Sequence, residues 1–85
     1  MNYRLLYEVI EFLENLSRQD QQLLRNRFVA IRDNPQSFPD CTETDYTGRR
    51  VDINICGKYA IKFWQDHADR HIKILHVHLA DQASK

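Results

Sequence analysis

The sequence predicts an α+β fold in two layers, with an N-terminal helix hairpin packed on an antiparallel sheet of three to four strands. Two observations predict it. Apolar residues recur at helical spacing in residues 8–33, and they alternate with polar residues in residues 49–79. Each element is therefore apolar on one side, so one sheet face must bury against the helices. The 85 residues have room for one core, and we take residues 1–85 as a single domain.

Residues 8–33 are predicted to form the helix hairpin. Ser17 is a favourable N-cap for the second helix, with Asp20 three residues further on. Pro35 disfavours helical geometry at Asn34, so this helix should end at that point. The predicted apolar stripes are Val9, Ile10, Phe12, Leu13 and Leu16 in the first helix, and Leu23, Leu24, Phe28 and Ile31 in the second.

The segments around the helices are less regular. Residues 1–7 fit either a short first strand or the first turn of a helix. Residues 34–48 are rich in turn-forming residues and predict a loop, in which residues 42–46 can form a short strand. Residues 80–85 are predicted to be a frayed tail.

Residues 49–79 are predicted to form the sheet, with a tight turn at Cys56-Gly57-Lys58. Alternation divides the side chains between two faces. The face toward the helices is predicted to carry Val51, Ile53, Ile55, Tyr59, Ile61, Phe63, Leu75, Val77 and Leu79. The opposite face is predicted to carry Arg50, Asp52, Asn54, Lys58, Lys62, Trp64, Ile74, His76 and His78.

The basic and aromatic members of this second set can handle a phosphodiester. Arg50 and Lys62 are candidates to hold phosphate, and His76 or His78 to transfer protons near neutral pH. Lys58 and Trp64 are candidate nucleic-acid contacts, the ring stacking on a base. The same alternation is typical of an antiparallel sheet with one solvated face, so a purely structural explanation stays open.

A metal site is another interpretation of the polar residues. Its candidate ligands are His67, His71, His76 and His78, with Asp66 and Asp69. No local spacing supplies a third ligand for the pair His76 and His78, so neither a metal nor another cofactor is predicted. We interpret Cys41 and Cys56 as small buried residues rather than nucleophiles or a disulfide framework.

Charge and hydropathy exclude several classes of function. The 12 Lys and Arg balance the 12 Asp and Glu, whereas strong non-specific nucleic-acid binders carry a basic excess. No stretch approaches the roughly 18 apolar residues of a membrane-spanning helix. Acidic residues interrupt the first segment, which is untypical of a signal peptide. We therefore expect a cytoplasmic protein without a membrane partner.

Two runs resemble the RelE/ParE superfamily of bacterial toxin–antitoxin proteins. They are FLENLSRQDQQLLRNRFVAIRDNP and TDYTGRRVDINICGKYAIKFWQDHADRHIKILHVHLAD. The matching features are the FLxxL start, the stop at Pro35, Gly48-Arg49, GKYAI at residues 57–61 and IKIL at residues 72–75. The similarity covers about residues 8–80, and these motifs specify a fold more than an activity.

The resemblance implies a toxin that a cognate antitoxin neutralises. Its RelE-like branch cuts messenger RNA on the ribosome, and its ParE-like branch inhibits DNA gyrase. In the ribonuclease branch, Arg50 and Lys62 would stabilise phosphate and transition-state charge, with His76 or His78 as acid or base. The alternative is a non-catalytic protein-binding module on the same fold, of the gyrase-inhibitor type or an inactive relative.

Overall fold

The computed structural model describes residues 2–80, which form two α-helices and a five-stranded sheet. The elements are β1 (Asn2–Leu5), α1 (Tyr7–Glu14), α2 (Arg18–Asp33), a 3-10 turn (Pro35–Ser37), β2 (Cys41–Thr44), β3 (Arg50–Cys56), β4 (Tyr59–Asp66) and β5 (His71–Leu79). The α+β class is confirmed. The predicted tail lies outside the described residues from position 81 onward.

The sheet is mixed, and its strand order is β1-β5-β4-β3-β2. Strands β2 to β5 are antiparallel neighbours, but β1 pairs with β5 in parallel. The prediction of a wholly antiparallel sheet of three to four strands is therefore wrong. Both strands that the sequence left open are formed, because residues 2–5 and 41–44 find backbone partners on opposite edges.

Helix α2 begins and ends where local signals place it, whereas α1 ends at Glu14, before the predicted stripe residue Leu16. The Ser17 hydroxyl accepts a hydrogen bond from the Asp20 backbone N–H at 3.1 Å, which confirms the predicted N-cap of α2. The helix ends at Asp33, ahead of Pro35. Neither helix described between residues 2 and 80 is long and apolar enough to cross a membrane.

The core lies between the helices and one face of the sheet. Strand β4 was predicted correctly, since Tyr59, Ile61 and Phe63 are all buried there. The apolar stripes of the helices are narrower than predicted, because Ile10 and Leu23 are exposed. The core residues are Val9, Leu13, Leu24, Phe28, Ile31, Cys56, Tyr59, Ile61, Phe63, Ile72, Ile74 and Val77.

Strand β3 faces the opposite way from the prediction. Cys56 is buried in the core, whereas Ile55 is 44% exposed on the other side. The reason is the turn: Gly57 and Lys58 alone form the loop, so Cys56 pairs with Tyr59 and shares its face. Gly57 adopts a φ of 61°, which suits the first position of a two-residue hairpin turn.

The last strand contains a bulge that the sequence did not predict. Lys62 pairs with His76 and Phe63 pairs with Ile74, so Leu75 is an extra residue in β5. Ile74 is therefore in the core, and its predicted placement on the opposite face is wrong. The prediction that Leu75 belongs to the core is also wrong. Val77 is in the core as predicted, because the alternation resumes after the bulge.

Candidate functional site

The sheet face opposite α1 and α2 carries the residues with the most chemistry, and we call it the open face. Its membership follows from the pairing, because cross-strand partners lie on the same side of a sheet. In β4, Lys62 lies between the buried residues Ile61 and Phe63, so its side chain points to the opposite face. There it pairs with His76. Ala60 pairs with His78. The structure therefore brings three of the four predicted catalytic residues onto one surface.

Lys62, His76 and His78 form a compact group, which we call the histidine cluster. The ring centroids of the two histidines are 4.9 Å apart. The ammonium group of Lys62 lies 2.9 Å from Glu43 Oε1 on the neighbouring edge strand β2. Glu8 Oε1 lies 3.5 Å from His76 Nδ1 and can accept a hydrogen bond from that ring when it is protonated. Lys62 and His76 thus each have a carboxylate within reach.

His78 has an unusual electrostatic environment within the cluster. Its partial burial disfavours the imidazolium form, and His76 and Lys62 add positive charge, so the pKa of His78 is lowered from its usual 6.5. The ring is consequently neutral at pH 7. Its Nδ1 atom is shielded from solvent and has no hydrogen-bond partner within residues 2–80. Proton exchange with a bound molecule must therefore occur through Nε2.

Trp64 also lies on the open face, but its ring is already in contact with two cations. The guanidinium carbon of Arg49 is 4.5 Å from the ring centroid, and Lys73 Nζ is 5.3 Å from it. The sequence interpretation missed both cations. The bulge in β5 places Lys73 on the face opposite to the one that the predicted alternation gives it. Arg49 lies just before the first residue of β3.

Both cations beside Trp64 are held by carboxylates. Arg49 Nε donates to Asp45 Oδ2 at 2.9 Å, and the hydrogen bond from the Thr47 side chain is the main cause that lowers the pKa of Asp45 to about 2. Lys73 Nζ lies 2.8 Å from Asp66 Oδ2, and this contact raises the pKa of the Lys73 ammonium group. Two ion-paired side chains therefore already lie beside the ring on which a base was predicted to stack.

The remaining predicted site residues lie elsewhere. Arg50 shares a face with Asp52, whose partner is the core residue Phe63, so Arg50 is on the helix side of the sheet. Lys58 is in the turn between β3 and β4, where its Nζ is 3.6 Å from Asp20 Oδ2. The structure therefore does not join Arg50 or Lys58 to the histidine cluster.

The alternative metal site required the histidines to converge. No group of three or more His, Cys, Asp or Glu side chains in the described part of the chain is placed to hold a metal ion. His71 instead contacts the backbone oxygen of Asp69 at 2.8 Å. Cys56 is buried as predicted, but Cys41 is exposed on the edge strand β2, so its predicted burial is wrong.

No protein-family model matches the chain, and no curated protein or solved structure shows a significant match to it. Function must therefore be inferred from the chain's own residues.

Proposed function

We propose that the chain is a toxin-like component of a type II toxin–antitoxin system, acting as a ribosome-dependent mRNA endoribonuclease through its open face. One observation carries this proposal: Lys62, His76 and His78 lie side by side on the sheet face that α1 and α2 leave uncovered. The sequence resemblance to the RelE/ParE superfamily adds support. So does the order of elements, in which a helix pair precedes the antiparallel strands β2 to β5.

The cluster is suited to cleavage of RNA by its own 2′-hydroxyl. Neutral His78 accepts the 2′-hydroxyl proton at Nε2, and the 2′ oxygen forms a bond to phosphorus. The bond between phosphorus and the 5′ oxygen breaks, and protonated His76 donates a proton to that leaving oxygen. The products are a 2′,3′-cyclic phosphate and a 5′-hydroxyl. No water or cofactor is consumed, so atoms and charge balance.

Lys62 supplies positive charge where the transition state becomes more negative. Its ammonium group pairs with Glu43 in the free protein, and RNA binding would exchange this carboxylate for a phosphate oxygen. The proposed catalytic set is thus Lys62, His76 and His78. Arg50 is not included, because it lies on the other side of the sheet.

Controlled expression in a bacterial host tests this proposal. We expect growth arrest with a collapse of translation, and RNA fragments that end in 2′,3′-cyclic phosphate. H78Q and K62Q should each abolish the arrest without loss of soluble protein. H71Q is the matched control and should arrest growth like the parent chain, since His71 contacts Asp69 and not the cluster.

Arrest by H78Q equal to that by the parent chain would show that the histidine cluster is not the active site. Co-expression with a small neighbouring gene product that restores growth would identify the cognate antitoxin.

The second candidate function is a non-catalytic protein-binding module. A specific observation favours it: Leu6, Tyr7 and Ile10 are exposed apolar residues at the start of α1, and Tyr7 is 74% exposed. Growth arrest with altered DNA supercoiling and intact RNA would support a gyrase-inhibitor type of module. An absence of arrest at good soluble expression would contradict the toxin proposal and leave an inactive relative.

A further inference from the structure

A second polar site lies on the helix side of the sheet, away from the histidine cluster. It is a cleft of about 430 Å³, a size within the range of small-ligand pockets. Its lining residues are Gln36, Pro39, Arg50, Asp52, Trp64, Gln65 and His67. The cleft thus combines the segment between α2 and β2 with the ends of β3 and β4.

The chemical centre of this cleft is a buried carboxylate. The Asp52 side chain is only 3% exposed. Its Oδ1 accepts a hydrogen bond from Arg50 Nε at 3.1 Å, and its Oδ2 accepts one from Gln65 Nε2 at 3.0 Å. A buried carboxylate is costly unless it is paired and hydrogen-bonded, and the contact with Asp52 directs the Arg50 guanidinium toward the cleft.

Arg50 retains most of its hydrogen-bonding capacity. The side chain is 71% exposed, and only its Nε contacts Asp52. Within residues 2–80, the two terminal nitrogens of this guanidinium have no hydrogen-bond partner. Two parallel N–H donors in a fixed plane match the two oxygens of a phosphate or carboxylate group.

We propose that the cleft binds a small molecule through an oxyanion, a phosphate or carboxylate group that Arg50 holds in a bidentate manner. Asp52 and Gln65 are positioning residues, since they orient the guanidinium. The amide of Gln36 and the ring of His67 are further hydrogen-bonding groups in the lining. This inference does not rest on the proposed ribonuclease activity, because none of the proposed catalytic residues Lys62, His76 and His78 lines the cleft.

Chemical-shift titration of the ¹⁵N-labelled protein tests the inference, with inorganic phosphate and acetate as separate probes. We expect saturable shifts at backbone amides of the cleft, and the probe that binds more tightly identifies the preferred oxyanion. R50Q should weaken binding at least tenfold. R50K should also weaken it strongly, because lysine keeps the charge but loses the planar pair of donors.

R25Q is the matched control, since Arg25 is an exposed arginine of α2 and its loss changes the net charge equally. It should leave the affinity within about twofold of the parent. If R25Q and R50Q weaken anion binding equally, the binding depends only on net charge and the proposal is overturned. A lack of saturation with both anions would also overturn it. Full affinity in R50K would overturn the bidentate assignment. If R50Q arrests growth as strongly as the parent chain does, the cleft is not needed for the proposed ribonuclease activity.

Discussion

At the scale of single residues, one carboxylate connects α2 to the sheet. The buried Tyr59 hydroxyl donates a hydrogen bond to Asp20 Oδ2 at 2.6 Å, and Lys58 Nζ lies 3.6 Å from the same oxygen. Asp20 is also the residue whose backbone N–H bonds the Ser17 cap. The start of α2 and the turn between β3 and β4 are therefore held together at one point.

This contact predicts a loss of stability at high pH. The Asp20 hydrogen bond, with burial, raises the pKa of Tyr59 from 10.0 to about 12. Because the folded state binds this proton more tightly, the stabilisation is complete below pH 10 and is lost as the pH rises through about 12. Urea unfolding between these pH values should show the decline. Y59F is the control, and it should show a smaller decline because its side chain cannot ionise.

Absorbance of tyrosinate gives a direct check of the same contact. Because the pKa of Tyr59 is raised to about 12, its ionisation should appear as a step at correspondingly high pH. Loss of the high-pH ionisation step in Y59F would assign that step to Tyr59. Ionisation of all tyrosines in one step near pH 10 would contradict the proposed hydrogen bond.

At the scale of elements, the orientation of β3 has the largest consequence for function. Asn54 is buried toward the helices, where its side chain accepts from Arg27 Nη1 at 2.9 Å and donates to the Phe38 backbone oxygen at 2.9 Å. A polar residue is stable there because both ends of its amide are satisfied. This network attaches the segment after α2 to the sheet and thereby forms one wall of the Arg50 cleft.

Two isoleucines on neighbouring strands test this orientation. I61A removes a fully buried side chain and should destabilise the protein by about 2–5 kcal/mol. I55A removes a side chain that is 44% exposed on the open face, so we expect a loss below about 1 kcal/mol. Urea denaturation of both variants measures the difference. Equal losses would contradict the assigned faces of β3 and β4.

At the scale of the whole molecule, the two ends of the described chain close the fold. Strand β1 pairs with β5 over Asn2–Leu5 and His71–Ile74, so the first and last strands are neighbours. Tyr3 and Leu5 of β1 pack against the core, and the Tyr3 ring centroid is 6.0 Å from that of Phe28. The paired segments are about 70 residues apart in sequence, and such long-range contacts slow folding because closing the loop between them costs entropy.

Alternate residues of β1 test how much this closure contributes. Y3A should lower the free energy of unfolding by about 1–3 kcal/mol, less than a fully buried aromatic residue, because Tyr3 is only partly buried. R4A changes an exposed side chain of the same strand and should alter stability by no more than about 0.5 kcal/mol. Thermal or urea unfolding measures both. A loss for Y3A as small as that for R4A would mean that β1 adds little to the folded state.

Much of the candidate site could be predicted from alternation alone. Lys62, His76 and His78 were placed on one face correctly, because β4 keeps strict alternation and the end of β5 returns to it after the bulge. Arg50 was grouped with them wrongly, since its strand was assigned the other face. The positions of Arg49 and Lys73 beside Trp64 were not predicted. They depend on the pairing register between strands and not on the spacing of residues along one strand.

The sequence by itself determined the features whose causes are local. Ser17 and Pro35 set the limits of α2 through contacts within a few residues, and the alternation of β4 specified its core face. Only the tertiary structure decided the orientation of β3, the bulge at Leu75 and the parallel pairing of β1. These depend on the exact turn length and on partners far along the chain, so a difference of one residue in register moves every side chain to the other face.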